Sequence, residues 1–138
     1  MEKFRLNEDV KVFCKKAESF PEGIMDAFRA LEGLHPEICQ RPFYGISYPG
    51  PDGDIIYKAA VREAFEGEGA QYGLETFTIP QGNYATETIL EFRKNPPGLI
   101  GAAFQRLLQT PGLERFPCVE WYKGPDEVMC MVKVNLQE

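Results

Sequence analysis

One histidine, His35, is all this chain offers to a zinc site or a histidine base, and it stands beside Pro36 in a stretch that reads as a loop. Zinc is held by several spaced Cys and His ligands, yet Cys14, Cys39, Cys118 and Cys130 form no Cys-x-x-Cys pair. No metal site is expected, and the cysteines read as reduced, small core residues. Basic residues are also in deficit, 15 against 21 acidic for a net charge of −6, with no cluster longer than Lys15-Lys16. Phosphate backbones are gripped by grouped cations that release counterions, so direct nucleic-acid binding is not expected. Apolar runs fall far short of the ~20 residues that a helical membrane span needs. Met1-Glu2-Lys3-Phe4 has no apolar signal core, so a cytoplasmic protein is expected. A Ser-His-Asp set and a phosphate-cradling glycine loop are missing as well, and no cofactor is expected.

What remains is ordinary globular material, 43% hydrophobic and 26% charged over 138 residues, which is one domain's worth. Residues 1–138 are therefore read as a single domain, and within it a repeat is visible. Ser19-Phe20-Pro21-Glu22-Gly23-Ile24-Met25-Asp26-Ala27-Phe28 lies over Asn95-Pro96-Pro97-Gly98-Leu99-Ile100-Gly101-Ala102-Ala103-Phe104 at one offset, and Leu31 and Leu107 continue the match. Tyr48-Pro49-Gly50-Pro51-Asp52 then overlies Tyr122-Lys123-Gly124-Pro125-Asp126 at an offset shorter by two. The two repeats run from about 8 to 64 and from about 80 to 136.

Each repeat reads as strand, helix, strand, strand. In the first, Val10 to Lys15 is β-prone, and Ser19 with Glu22 has the spacing of a capping box. Ile24, Ala27, Phe28, Leu31 and Leu34 then form one helix face, which His35-Pro36 ends. Phe43–Tyr48 and Ile55–Val61 flank the turn signal Pro49 to Gly53 and predict a hairpin. The small, acidic stretch Glu66 to Ala70 reads as a flexible linker. A strand over Leu74–Ile79 enters the second repeat, followed by a strand from Tyr84 to Phe92. Asn95-Pro96-Pro97-Gly98 opens a helix with Ile100, Ala103, Phe104, Leu107 and Leu108 on its face. Pro111-Gly112 stops it, and Cys118–Tyr122 and Val128–Leu136 form the closing hairpin. The expected fold is α+β: one antiparallel sheet with two helices on one face and a groove between them, where pockets commonly lie.

Pro80-Gln81-Gly82-Asn83-Tyr84-Ala85, then a helix, then Pro117-Cys118-Val119-Glu120-Trp121-Tyr122 and a final strand resemble the GyrI-like small-molecule-binding family. That family includes the effector-binding modules of AraC-type and MerR-type bacterial regulators. The resemblance covers the second half well and reaches the first half through the repeat. It implies that Glu120, as the glutamate of the family's Glu-x-Tyr, lies in an aromatic pocket and pairs with lipophilic cations. Tyr84 stands at the family's Pro-x-Gly-x-Tyr position. Lys3 to Lys11 is too short for the helix-turn-helix that precedes the module in regulators, so a stand-alone module is expected.

Alternation puts Cys118, Glu120 and Tyr122 on one strand face, and the repeat assigns Tyr44, Ile46 and Tyr48 the equivalent places. A carboxylate buried among tyrosines would gain from an organic cation through charge pairing and cation–π contact. Phe28 and Phe104 are expected mainly to pack, with one of them touching the groove. Trp121 has two readings. Alternation aims it at the helix-free face beside Met129 and Met131, as a dimerisation patch, whereas a bulge would turn it to the ligand. The expected partner is a small organic ligand, with the chain a monomer or a homodimer. The alternatives are hydrolysis of reactive electrophiles with Glu120 as base, and a gyrase-inhibitor-like role with a protein partner.

Overall fold

The computed structural model describes residues 2–91, 98–124 and 126–135, with all their side chains except those at 115 and 116. The helix opening expected at Asn95-Pro96-Pro97, the turn residue Pro125 and the strand ends at Phe92 and Leu136 lie outside the described residues. Alternating apolar positions produce eight strands: β1 (Glu2–Leu6), β2 (Val10–Lys16), β3 (Phe43–Pro49), β4 (Ile55–Arg62), β5 (Glu75–Ile79), β6 (Gly82–Leu90), β7 (Leu113–Tyr122) and β8 (Glu127–Val134). Among the described residues three helices join them, α1 (Ile24–Glu32), α2 (Glu68–Gln71) and α3 (Leu99–Leu107), with a 3-10 turn at Pro36–Gln40.

The expected α+β architecture is present. One antiparallel sheet runs β1-β6-β8-β7-β3-β4-β2-β5, symmetric about the β7–β3 pair. On one face α1 covers β2 and β4, where Phe13, Leu31, Tyr57 and Val61 pack together. On the same face α3 covers β6 and β8 through Ala103, Leu107, Cys130 and Val132. No helix among the described residues is long and apolar enough to cross a membrane.

The stretch ahead of the first repeat, in which the sequence marked no element, holds β1, which pairs with β6 from Glu2↔Thr86 to Leu6↔Gly82. In the mirror-image exchange β5 pairs with β2, Val10 opposite Ile79. The leading strand of each half therefore edges the other half. Phe4 and Leu6 from one end and Phe77 and Ile79 from the other curl over the helix-free face, where they enclose a second core of Val12, Tyr44, Ile46, Tyr84, Val119 and Met131. This overturns the expected Trp121-Met129-Met131 patch. Met129 is 4% and Met131 1% exposed, and the Trp121 ring lies 5.9 Å from Phe4 and 6.0 Å from Tyr44. The pairing of β7 with β8 does shift between Leu113 and Cys118, but Trp121 beyond it keeps its facing, opposite Met129.

Three local expectations are corrected. The capping box is not made: Gly23 caps α1 without a side-chain bond, and the Ser19 carbonyl instead accepts the Gly23 amide at 3.0 Å. The helix stops at Glu32, before Leu34, and His35 becomes the cap of the 3-10 turn, accepting the Glu37 amide at 3.1 Å. Glu66 to Ala70 is not a loose linker, because α2 begins at Glu68 and that glutamate is only 3% exposed. Arg41 holds it with two bonds of 2.7 and 2.8 Å, and the Ala64 amide adds a third at 2.8 Å.

Removing one member of a buried, hydrogen-bonded ion pair strands the other, at a cost of about 3–5 kcal/mol. Arg41→Ala is expected to lower stability by that order in urea denaturation. The Arg41 guanidinium also holds the Glu68 carboxyl below its ordinary value of 4.5. Its stabilisation is therefore present at neutral pH and lost as pH falls through that lowered value. The melting-temperature gap between the protein and Glu68→Gln is expected to close in the same acid range.

The covered Trp121 gives a second check. Phe4→Ala is expected to shift the emission of this single tryptophan to the red. An unchanged spectrum would mean that β1 does not cover the ring.

Candidate functional site

The centre of the sheet is where β3 meets β7, and the register there decides which side chains share a face. Gly45 stands opposite Glu120, with Cys130 opposite Glu120 on the other side. Residues paired across an antiparallel ladder point the same way, so Glu120 rises on the helix-covered face above a position with no side chain. A glycine inside a strand often marks a close approach, and here Tyr57 of β4 fills the space. A Cβ on Gly45 would collide with the Tyr57 hydroxyl oxygen and sit 2.7 Å from Glu120 Oε1.

Tyr57 donates its hydroxyl to Glu120 Oε1 at 2.8 Å, and Tyr122, two residues along the same strand face, donates to the same oxygen. Phe28 of α1 meets both phenols edge-on, with ring centroids 6.3 Å from Tyr57 and 5.7 Å from Tyr122. Phe20 stacks on Tyr57 at 5.9 Å while remaining 46% exposed. Glu120 itself is 7% exposed, and among the described residues no Lys, Arg or His pairs with it.

Burial disfavours the charged form, so the Glu120 carboxyl is raised above its ordinary 4.5, although its two tyrosine donors pull it part of the way back. The same burial, with the carboxylate alongside, pushes Tyr57 well above 10 and raises Tyr122 as well. Cys118 rises to about 11 and Cys130 to about 12, chiefly through burial and then through Glu120. Both thiols stay protonated near neutrality and are poor nucleophiles. The acid and its two phenols are the polar content of this cluster.

Of the residues singled out in the sequence, Glu120, Tyr122 and Phe28 come together here. Tyr44, Ile46, Tyr48 and Tyr84 do not, because they belong to the core on the opposite face of the sheet; Trp121 packs against that core and also borders the cavity next to the cluster. Ladder pairing sets Gly45, not Ile46, across from Glu120, and a one-residue difference in register moves every side chain of a strand to the other face. Tyr84 is anchored there by donating to the Pro80 carbonyl at 2.6 Å, and Lys58 lies 5.3 Å over the Tyr48 ring. Phe104 packs under α3 with Ala85, Leu107 and Val132. Tyr57, Gly45 and Phe20 were missed. The signal for the first two was Gly45 itself, a glycine in the middle of an otherwise β-prone strand.

Beside the cluster is a cavity of about 980 Å³, bounded among others by Ile24, Phe28, Arg29, Phe43 and Tyr122. Glu120 does not line it. Tyr122 belongs to both, touching the cavity and bonding to the acid.

At the level of sequence, no family model and no curated protein matches the chain. Solved structures do match in fold. SAV2435, determined bound to tetraphenylphosphonium, aligns over 97% of this chain and 94% of its own with TM-score 0.64 and 14% identity. The integron cassette protein VCH_CASS2 of Vibrio cholerae aligns over 96% and 94% with TM-score 0.65 and 15% identity. A hydrolase from Listeria innocua aligns over 99% and 91% with TM-score 0.58 and 10% identity. At such identities the likeness is one of fold.

Gly45→Ala is expected to cost about 1–3 kcal/mol, because a methyl group in a filled core forces its neighbours to move. Tyr57→Phe removes the atom that methyl would strike first. Denaturant melts of the single and double variants are expected to show costs that do not add, the double variant being more stable than the sum implies. Simple additivity would mean that Tyr57 does not occupy the space over Gly45.

Proposed function

We propose that this chain is a small-molecule-binding protein of the GyrI-like kind, and that it takes lipophilic or cationic organic compounds against Glu120. The observation that carries the reading is a carboxylate buried beneath rings, hydrogen-bonded by two phenols and left without a countercharge among the described residues. A buried, unpaired acid is costly and persists where something else is gained. An organic cation would supply the missing charge, while the ring faces of Phe28, Tyr57 and Tyr122 offer cation–π contact worth about 0.5–2 kcal/mol. The adjoining cavity has the volume of a drug-sized ligand. The shared fold of SAV2435, solved with a lipophilic cation, supports the same reading.

The test is a thermal-shift series with tetraphenylphosphonium and aromatic amines. A ligand at 100 times its Kd is expected to stabilise the protein by about 2.7 kcal/mol. The shift is expected to vanish in Glu120→Gln, whose own melting temperature at pH 7–8 rises, by about 3 °C for each kcal/mol of charge burial relieved. Because folding raises the Glu120 pKa, the folded chain holds this proton more tightly than the unfolded one. Its contribution to stability is therefore full below about pH 4.5 and declines as pH rises towards the raised value. Glu120→Gln flattens that slope. Cation affinity runs the opposite way, weakening as pH falls and the carboxylate takes its proton. Shifts that ignore both pH and this substitution would rule Glu120 out as the binding acid.

A second reading draws on the same raised pKa. A carboxylate moved towards neutrality suits a general base for attack by water on a reactive electrophile, and one protein sharing the fold is a hydrolase. Product formation from a bound epoxide or activated ester, lost in Glu120→Gln, would select it. Binding without turnover selects the first reading.

A further inference from the structure

Glu120 commits only one of its two oxygens to the protein. The hydroxyls of Tyr57 and Tyr122 both converge on Oε1, and among the described residues no donor reaches Oε2. Every side-chain nitrogen or oxygen fully screened from solvent has a hydrogen-bond partner among the described residues. An oxygen without such a partner is therefore not fully screened, and Oε2 is that oxygen in a residue 93% covered. Neighbouring groups do not compete for it: Gly45 contributes no side chain, and Cys118 and Cys130 make no hydrogen bond to the carboxylate. Two phenols fastened to Oε1 also restrict rotation of the carboxylate, so Oε2 is held in a set direction.

We propose that Glu120 Oε2 is the recognition atom of the site and that it selects ligands carrying an N–H donor. The favoured class is then protonated aryl-alkyl amines and amidinium ions, in preference to onium ions whose charge is wrapped in carbon. This rests on the reading of Glu120 as the ligand-binding acid and narrows it. A charge-assisted N–H to carboxylate bond closes to about 2.7–2.9 Å and satisfies the last free acceptor of the buried acid. A quaternary nitrogen or a phosphonium offers charge without a hydrogen, so Oε2 stays unsatisfied and the ion stands further off. An unmade hydrogen bond at a buried charged group is penalised more heavily than a neutral one. Tyr57 and Tyr122 act here as positioning residues, while Phe28 covers the apolar part of the ligand.

The experiment is calorimetric titration of the intact chain at pH 7.5 with 4-phenylbutylamine, its N,N-dimethyl derivative and its N,N,N-trimethyl derivative. All three are cations at that pH, but only the first two can donate a hydrogen. The two donors are expected to bind at least tenfold more tightly than the trimethyl ion. All three are expected to lose measurable binding in Glu120→Gln, whose cooperative melt certifies its fold. If that variant does not fold, Glu120→Asp, which withdraws the carboxylate by one methylene, is expected to weaken the donors and to leave the trimethyl ion little changed. Equal or tighter binding of the trimethyl ion, with all three ligands lost in Glu120→Gln, would overturn donor selection and leave the cation site standing. Binding of none, or binding indifferent to both substitutions, would overturn the reading of Glu120 itself.

Discussion

The hydrogen bonds from Tyr57 and Tyr122 into one oxygen of Glu120 are the constraint around which the centre of this protein is arranged. They are possible because Gly45 leaves a space in the ladder that a phenol can occupy, and because β3 and β7 pair in the register that sets Gly45 opposite the acid. A side chain at position 45 would push Tyr57 away. A one-residue slip would turn Glu120 to the other face, into a closed aliphatic and aromatic core and away from Tyr57 and Tyr122. The cost of burying the acid is offset in part by its two donors, and the remainder shows as a raised pKa.

The wider architecture keeps that register in place. Each half sends its leading strand to the edge of the other, β1 to β6 and β5 to β2, so neither half can complete its sheet alone. The exchange curls the sheet until its helix-free face is filled by its own side chains. The cavity beside Tyr122 lies against α1, with Trp121 at its border. The Arg41–Glu68 pair serves the same end from the flank, fixing the segment after β4 against the 3-10 turn that bounds the cavity.

Where the reading of the sequence failed, it failed at interactions between distant residues. β1 has only Phe4 and Leu6 to mark it, too weak an alternation to stand out, and it is a strand because β6 offers an open edge. Ser19 and Glu22 have the spacing of a capping box, but the chain turns before the helix begins and the Ser19 carbonyl is used instead. Glu66 to Ala70 has the composition of a linker, and it is ordered by Arg41, which no local pattern could reveal. Trp121 was correctly aimed at the helix-free face, but the lid that Phe4 forms over it comes from the far end of the chain.

Local periodicity was enough to establish the α+β class, both amphipathic helices and the two hairpins, because each depends on neighbours a few residues apart. It also picked out Glu120 with Tyr122 on one strand face and Phe28 on the helix above. Tertiary structure alone decided that Tyr57 and not Tyr44 or Ile46 faces the acid, that Tyr48 and Tyr84 serve the opposite core, and that Trp121 packs there while bordering the cavity. The reason is that strand register is set by pairing across the sheet. With a side-chain period of two, an alignment of repeats that is wrong by one residue assigns every side chain to the wrong face.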